Sequence, residues 1–128
     1  METGLKGRTD TVVDSTNTAK FAGSGELEVF STPAMVALME QAAQSSVAPY
    51  LDDGQGTVGT KLSISHDAAT PLGMKVYAES VLTEIDGRRL VFEVRAYDEA
   101  GLIGQGTHER FIIRNERFLA KVNAKGGK

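Results

Sequence analysis

The chain has no cysteine, no tryptophan and three prolines in 128 residues. Without cysteine it has no disulfide, no thiol nucleophile and no thiolate metal site. It lacks an apolar run long enough to span a bilayer or to form the core of a signal peptide, so a cytoplasmic location with no membrane partner is expected. Excess positive charge is missing too. Lys and Arg number 14 against 17 Asp and Glu, a net charge of −3, which argues against nucleic acid as a partner because phosphate binding calls for a basic surface. Histidine is confined to His66 and His108. Far apart and without carboxylates at ligand spacing, they make no metal motif. Repeats and domain-dividing linkers are also absent, so residues 1–128 are expected to form a single domain, large enough to bury a core.

The clearest element present is a helix over Pro33–Ala48. Thr32 reads as its N-cap, Pro33 suits a first helical position, and Ala-Met-Val-Ala-Leu-Met supplies strong helix formers. Its apolar character runs nearly all round, which predicts a buried helix. Pro49 ends it and Asp52-Asp53-Gly54 turns the chain. Before it, residues 1–8 read as a frayed leader, residues 9–15 as a first strand around Val12 and Val13, and residues 16–27 as a loop. After it come strands over residues 57–65, 74–85, 89–97 and 102–114. Asp86-Gly87 marks a two-residue hairpin between the second and third of these. Residues 115–124 read as a short helix with Phe118, Leu119 and Val122 on its apolar side. Several antiparallel strands after one buried helix predict an α+β fold, a curled antiparallel sheet around a central helix. One helix covers one sheet face only, so a homodimer or higher oligomer is the economical expectation.

Three residues carry candidate chemistry. Glu40 has Val36, Ala37 and Ala43 as helical neighbours at three and four residues, and Val47 two turns on, at seven. A carboxylate there is expected to be at least partly buried, with its pKa raised unless a cation or donors meet it. The alternative is a narrow polar stripe with Gln41 and Gln44. Thr32 is explained structurally as a cap, yet a helix N-terminus also holds an oxyanion well. His66 sits where a strand meets Asp67-Ala68-Ala69-Thr70-Pro71, as a proton carrier or as an exposed loop residue. His108 reads as a sheet-face side chain. Thr32 and Glu40 lie eight residues apart on one helix, roughly 12 Å at ~1.5 Å per residue. They cannot bond directly within one chain. Two antiparallel helices across a two-fold axis would bring Thr32 of one copy near Glu40 of the other.

Past Glu109 the charge turns basic: Arg110, Arg114, Arg117, Lys121, Lys125 and Lys128 are opposed only by Glu116. A solvated helix face accounts for most of them, and attraction of a phosphorylated ligand is the other reading.

Taken in order, Glu28-Val29-Phe30-Ser31-Thr32, Leu38-Met39-Glu40, Ala48-Pro49-Tyr50-Leu51, Gly56-Thr57-Val58-Gly59-Thr60, His66-Asp67-Ala68-Ala69-Thr70-Pro71, Asp86-Gly87-Arg88-Arg89-Leu90 and Ile103-Gly104-Gln105-Gly106-Thr107-His108-Glu109-Arg110 resemble the hotdog-fold thioesterases of the fluoroacetyl-CoA thioesterase type. The resemblance covers about Glu28 to Lys125. It implies a hotdog fold, dimerisation, and hydrolysis of a short acyl-CoA thioester at the subunit interface. Catalysis falls by resemblance on Thr32, Glu40 and His66. Gly59 is implied to bring its backbone close to the substrate carbonyl, and Arg110 to help hold the site or the CoA. No cofactor is implied, since coenzyme A is part of the substrate.

A thioester is already activated, so its hydrolysis needs an attacking oxygen, oxyanion donors and a proton carrier. His66 suits the base, Thr32 the carbonyl end, and Glu40 either the nucleophile or the orienter of a water. The resemblance departs over Phe21-Ala22-Gly23-Ser24-Gly25-Glu26-Leu27, where the fluoroacetyl-selective type carries a phenylalanine-bearing lid. Fewer aromatics and more glycine predict a looser cover and a different or broader short-acyl preference. A non-catalytic acyl-CoA-binding module is the alternative, and a hotdog dehydratase a more distant one, since no Asp and His stand close together on the helix.

Overall fold

The computed structural model describes residues 1–127; Lys128, last of the basic residues above, lies outside the described residues. Five strands form one antiparallel sheet: β1 (Lys6–Val12), β2 (Gln55–His66), β3 (Lys75–Asp86), β4 (Arg89–Asp98) and β5 (Gly101–Arg114), in the spatial order β1-β3-β4-β5-β2. A short helix α1 (Ala19–Ala22) and the long helix α2 (Thr32–Val47) separate β1 from β2, and α3 (Asn115–Lys125) follows β5. One 3-10 turn, Ala48–Tyr50, carries the chain off α2 at Pro49.

The core alternates as half-buried strands must. Val76, Ala78 and Leu82 of β3, and Leu90, Phe92, Val94 and Ala96 of β4, face α2, which answers with Met35, Leu38, Met39, Ala42, Ala43 and Val47. These helical positions recur at three and four residues, the spacing of one face. Close packing on β1 depends on Gly7, because a Cβ there would run into the Ala42 carbonyl of α2.

Curl comes from irregular pairing. The registers slip at Thr60 in β2, at Thr83 in β3 and near Ile103 in β5, each leaving one extra residue on one strand. Such bulges bend the strand and raise its twist, which wraps the sheet over the helix. A two-residue loop, Gly87-Arg88, closes the β3–β4 hairpin at the Asp86–Arg89 pair, one residue later than the Asp86-Gly87 signal suggests.

Four expectations need correction. The frayed leader is instead tied down: Gly4 and Leu5 bond the backbone of Leu82, and β1 begins at Lys6. Its polar residues pair with β3 although only its end carries β-branched apolar residues, because the ladder satisfies backbone groups whatever the side chains. The loop over residues 16–27 contains α1, capped by the Thr18 side chain and ended by Gly23. Thr32 is not the cap of α2. Ser31 is, its hydroxyl accepting from Ala34 N–H at 3.1 Å, and Thr32 lies in the first turn. Finally, α2 is buried on one side only. Ala37, Gln41 and Gln44 are exposed, with Val36 and Glu40 half-buried beside them, because the sheet reaches just one face.

Candidate active site

The start of α2 and the end of β2 are held together by backbone bonds. Phe30 N–H donates to the Thr70 carbonyl at 2.9 Å and Ser31 N–H to the Asn17 carbonyl at 3.0 Å. The bulged Ile103 offers its carbonyl to Asp67 N–H at 2.7 Å and to Ala68 N–H at 3.2 Å, which fixes the chain just after His66. Thr70, fully buried, donates its hydroxyl to Asp98 at 2.7 Å and anchors the other end of that loop.

These ties set Thr32 Oγ1 at 2.7 Å from His66 Nδ1. Since Ser31 caps the helix, the Thr32 hydroxyl is free for this contact. His66 Nε2 is buried and has no hydrogen-bond partner within the chain. Thr32 and His66 line a cleft of about 280 Å³, with Ala19 and Ser24 from the segment around α1 and Asp67 and Ala68 from the loop.

Two turns further along α2, Glu40 belongs to a different cluster. Its carboxylate lies 3.4 Å from Arg110 Nη1, and its side chain is 42 % exposed. The expected buried acid is therefore a half-open one that meets its cation. Gly59 faces it: a Cβ at that position would stand 2.7 Å from Glu40 Oε2 and 3.1 Å from His108 Cε1. Only a residue without a side chain lets the carboxylate come this close to the β2 backbone.

Arg110 uses its donors inward. Nε donates to Thr57 Oγ1 at 2.8 Å, Nη2 to the Thr57 carbonyl at 2.9 Å, and Nη1 to His108 Nε2 at 3.2 Å. A guanidinium only donates, so His108 Nε2 accepts and its proton sits on Nδ1, which donates to the Lys61 carbonyl at 2.9 Å. Burial holds the His108 imidazole below its ordinary value, with the Arg110 charge adding to the effect and the Lys61 carbonyl and Glu40 opposing it. Burial likewise lowers Arg110, against Glu40. His108 is thus a neutral prop for Arg110, a role that its reading as a plain sheet-face side chain leaves out. Thr57 and the capping Ser31 are two further participants that the sequence did not single out.

The five expected residues therefore fall into two groups within one chain. Thr32 and His66 meet at the N-terminal end of α2, while Glu40, Gly59 and Arg110 meet two turns away. Among the described residues no group of three or more His, Cys, Asp or Glu could hold a metal ion, and no helix is long and apolar enough to cross a membrane.

The family model of fluoroacetyl-CoA-specific thioesterases matches residues 13–116. A curated fluoroacetyl-CoA thioesterase from Streptantibioticus cattleyicolor is 48% identical over 98 residues, which cover 77% of this chain and 70% of that protein. A solved structure of a fluoroacetyl-CoA thioesterase superposes with a TM-score of 0.92 at 40% identity, covering 98% of this chain and 97% of that one. A variant of that enzyme in complex with acetyl-CoA gives 0.91, again at 40% identity, with 98% of both chains covered. A thioesterase superfamily member from Thermus thermophilus gives 0.90 at 29% identity, covering 98% of this chain and 93% of its own. By sequence and by architecture, the chain belongs to the family of fluoroacetyl-CoA-specific thioesterases, with the hotdog fold.

Proposed function

We propose that this chain hydrolyses short acyl-CoA thioesters to the free acid and CoA, at sites composed across a two-fold dimer. The observation that carries this is the Thr32–His66 contact at 2.7 Å with His66 Nε2 left unpartnered in a covered position. A buried ring nitrogen without a partner is costly unless something arrives to meet it. Substrate, an attacking water and Glu40 of the partner subunit supply what is missing. The stripe of Ala37, Gln41 and Gln44 beside Glu40 and the free edge of β2 are surfaces through which a second copy would dock.

In this reading His66 Nδ1–H donates to Thr32 Oγ1, which leaves Nε2 as the base. Nε2 takes a proton from water as the water oxygen bonds to the thioester carbon. The oxyanion forms against the N-terminal end of α2 and the backbone at Gly59 of the partner subunit. As the C–S bond breaks, the proton on His66 passes to the CoA sulfur. Glu40 orients the water in preference to attacking: Arg110 holds its Oε2 at 3.4 Å, and its other oxygen accepts from the water. No cofactor enters. Arg110 holds the site and not the CoA, since four hydrogen bonds within the chain engage all three of its nitrogens.

A broad short-acyl preference is supported by the cover of the cleft. It presents Ala19 and Ser24, while Phe21 and Leu27 stay 67% and 69% exposed. The acetyl-CoA complex of the relative fits the same size class. The test is release of free thiol from acetyl-, fluoroacetyl-, longer-chain and aromatic CoA esters. Acetyl and fluoroacetyl esters should both turn over, and Glu40→Gln and His66→Ala should each lower kcat about 10²–10⁴-fold. CoA esters that bind without thiol release would point to a binding module instead; near-normal rates in both variants would sink the site assignment.

A further inference from the structure

The basic residues at the end of the chain take no part in the site above. Arg114 ends β5, and Arg117 and Lys121 follow it at three and four residues, so they share one side of α3. Arg88 reaches the same place from the tip of the β3–β4 hairpin. Arg88, Arg114, Arg117 and Lys121 line one groove, and its apolar lining is Ile113 and Phe118. A larger cavity of about 620 Å³ opens on the other side of Arg114 and Arg117, beside Gly54.

Ion pairing explains none of these cations. Among the described residues the paired bases are Arg8, Arg89 and Arg110, and none of the four is among them. Asp53 and Glu116 border the larger cavity, not the groove. Four unpaired cations around one groove, on a chain of net charge −3, concentrate positive potential against the general trend of the molecule.

Strand register ties this groove to the catalytic cluster. Gly59 pairs with Arg110 and Gln55 with Arg114. The β2–β5 ribbon therefore runs from the Glu40 carboxylate to the groove over four residues, about 13 Å at ~3.3 Å per residue. The extended pantetheine arm of a CoA thioester has the reach to bridge such a gap, which leaves its phosphates at the far end.

We propose that Arg88, Arg114, Arg117 and Lys121 bind the 3′-phosphorylated adenosine diphosphate end of the CoA substrate. The guanidinium forks take phosphate oxygens in pairs, Lys121 adds a point charge, and Phe118 with Ile113 takes the face of the adenine. Bare charge alone would suit inorganic phosphate equally well; the apolar lining is what selects a nucleotide. This inference rests on the thioesterase reading, and its test separates the two.

The experiment compares hydrolysis of acetyl-CoA with that of acetyl-pantetheine, which keeps the thioester and the arm but lacks the nucleotide. In Arg117→Gln/Lys121→Gln, KM for acetyl-CoA should rise about tenfold, the sum of two exposed charge-assisted contacts. Its kcat should hold, and the loss should be confined to the nucleotide-bearing substrate. Raising the salt concentration should weaken wild-type KM for acetyl-CoA more than that of the double variant. Arg95→Gln, on the outer face of β4, serves as the control for a general charge effect. An equal KM rise on both substrates, or none on either with wild type active, would overturn the nucleotide subsite alone. Wild type inactive on both substrates would overturn the thioesterase reading, and the subsite with it, before any variant is made.

Discussion

Ser31 and Thr32 are adjacent hydroxyl residues with separate partners, and the difference decides which of them is free to meet His66. Ser31 bonds Ala34 N–H and completes the helix entrance, whereas Thr32 turns its hydroxyl to His66. A helix-start pattern is legible in Phe-Ser-Thr-Pro, but which hydroxyl caps is a matter of one residue of phase. Boundaries at that level are decided by how the incoming chain is tied, here through Phe30 and Ser31 to Thr70 and Asn17. The two positions should separate in experiment. Ser31→Ala should lower stability by about 1 kcal/mol, the usual loss of a cap, measured by denaturant unfolding. Thr32→Val keeps the shape and removes the bond to His66, so its main loss should be in kcat. Equal unfolding midpoints for Ser31→Ala and wild type would contradict the capping assignment.

Strands β2 and β5 carry the second cluster, and most of what binds them beyond the backbone ladder is polar. His108 and Arg110 stand two apart on β5 and so face the same way, into the protein. His108 holds the Lys61 carbonyl of β2, and Arg110 holds Thr57. That pair was visible in Gly-Gln-Gly-Thr-His-Glu-Arg as two polar residues at a period of two, but nothing local in the sequence tells an inward face from an outward one. The strand positions themselves were legible, because turn residues punctuate them; the bulges that curl the sheet were not, since each depends on pairing with a distant strand. The pH response follows from His108. Its ordinary value is 6.5 and burial lowers it in the folded chain. Below 6.5 the unfolded chain takes up a proton that the folded one refuses, so stability falls as the pH drops from 6.5 toward the folded value. The groups facing the ring are Arg110, Glu40 and Glu109, and the cation at Arg110 makes protonation there harder still. Thermal melts between pH 7.5 and pH 5 should show a steeper loss in wild type than in His108→Gln. Parallel curves would remove His108 from that role.

Seen as one molecule, the chain carries its candidate residues at two places on a single helix, its start and its middle. Thr32 and His66 lie at one end, and Glu40 with Gly59 and Arg110 two turns on. The spacing of eight residues was enough to foresee that they do not meet inside one chain. What spacing alone leaves open is the partner geometry, which the exposed stripe of α2 and the open edge of β2 make available. The central claim is that a working site takes Thr32 and His66 from one copy and Glu40 from the other. The most direct test mixes two inactive chains, Glu40→Gln and His66→Ala, unfolds and refolds them together, and measures thiol release from acetyl-CoA. In a mixed dimer one of the two sites draws an intact Glu40 from one chain and an intact Thr32–His66 pair from the other. Half of the dimers are mixed, so activity should return to about a quarter of wild type. A refolded mixture as inactive as its parents, with mixed dimers present by mass, would contradict the composite site.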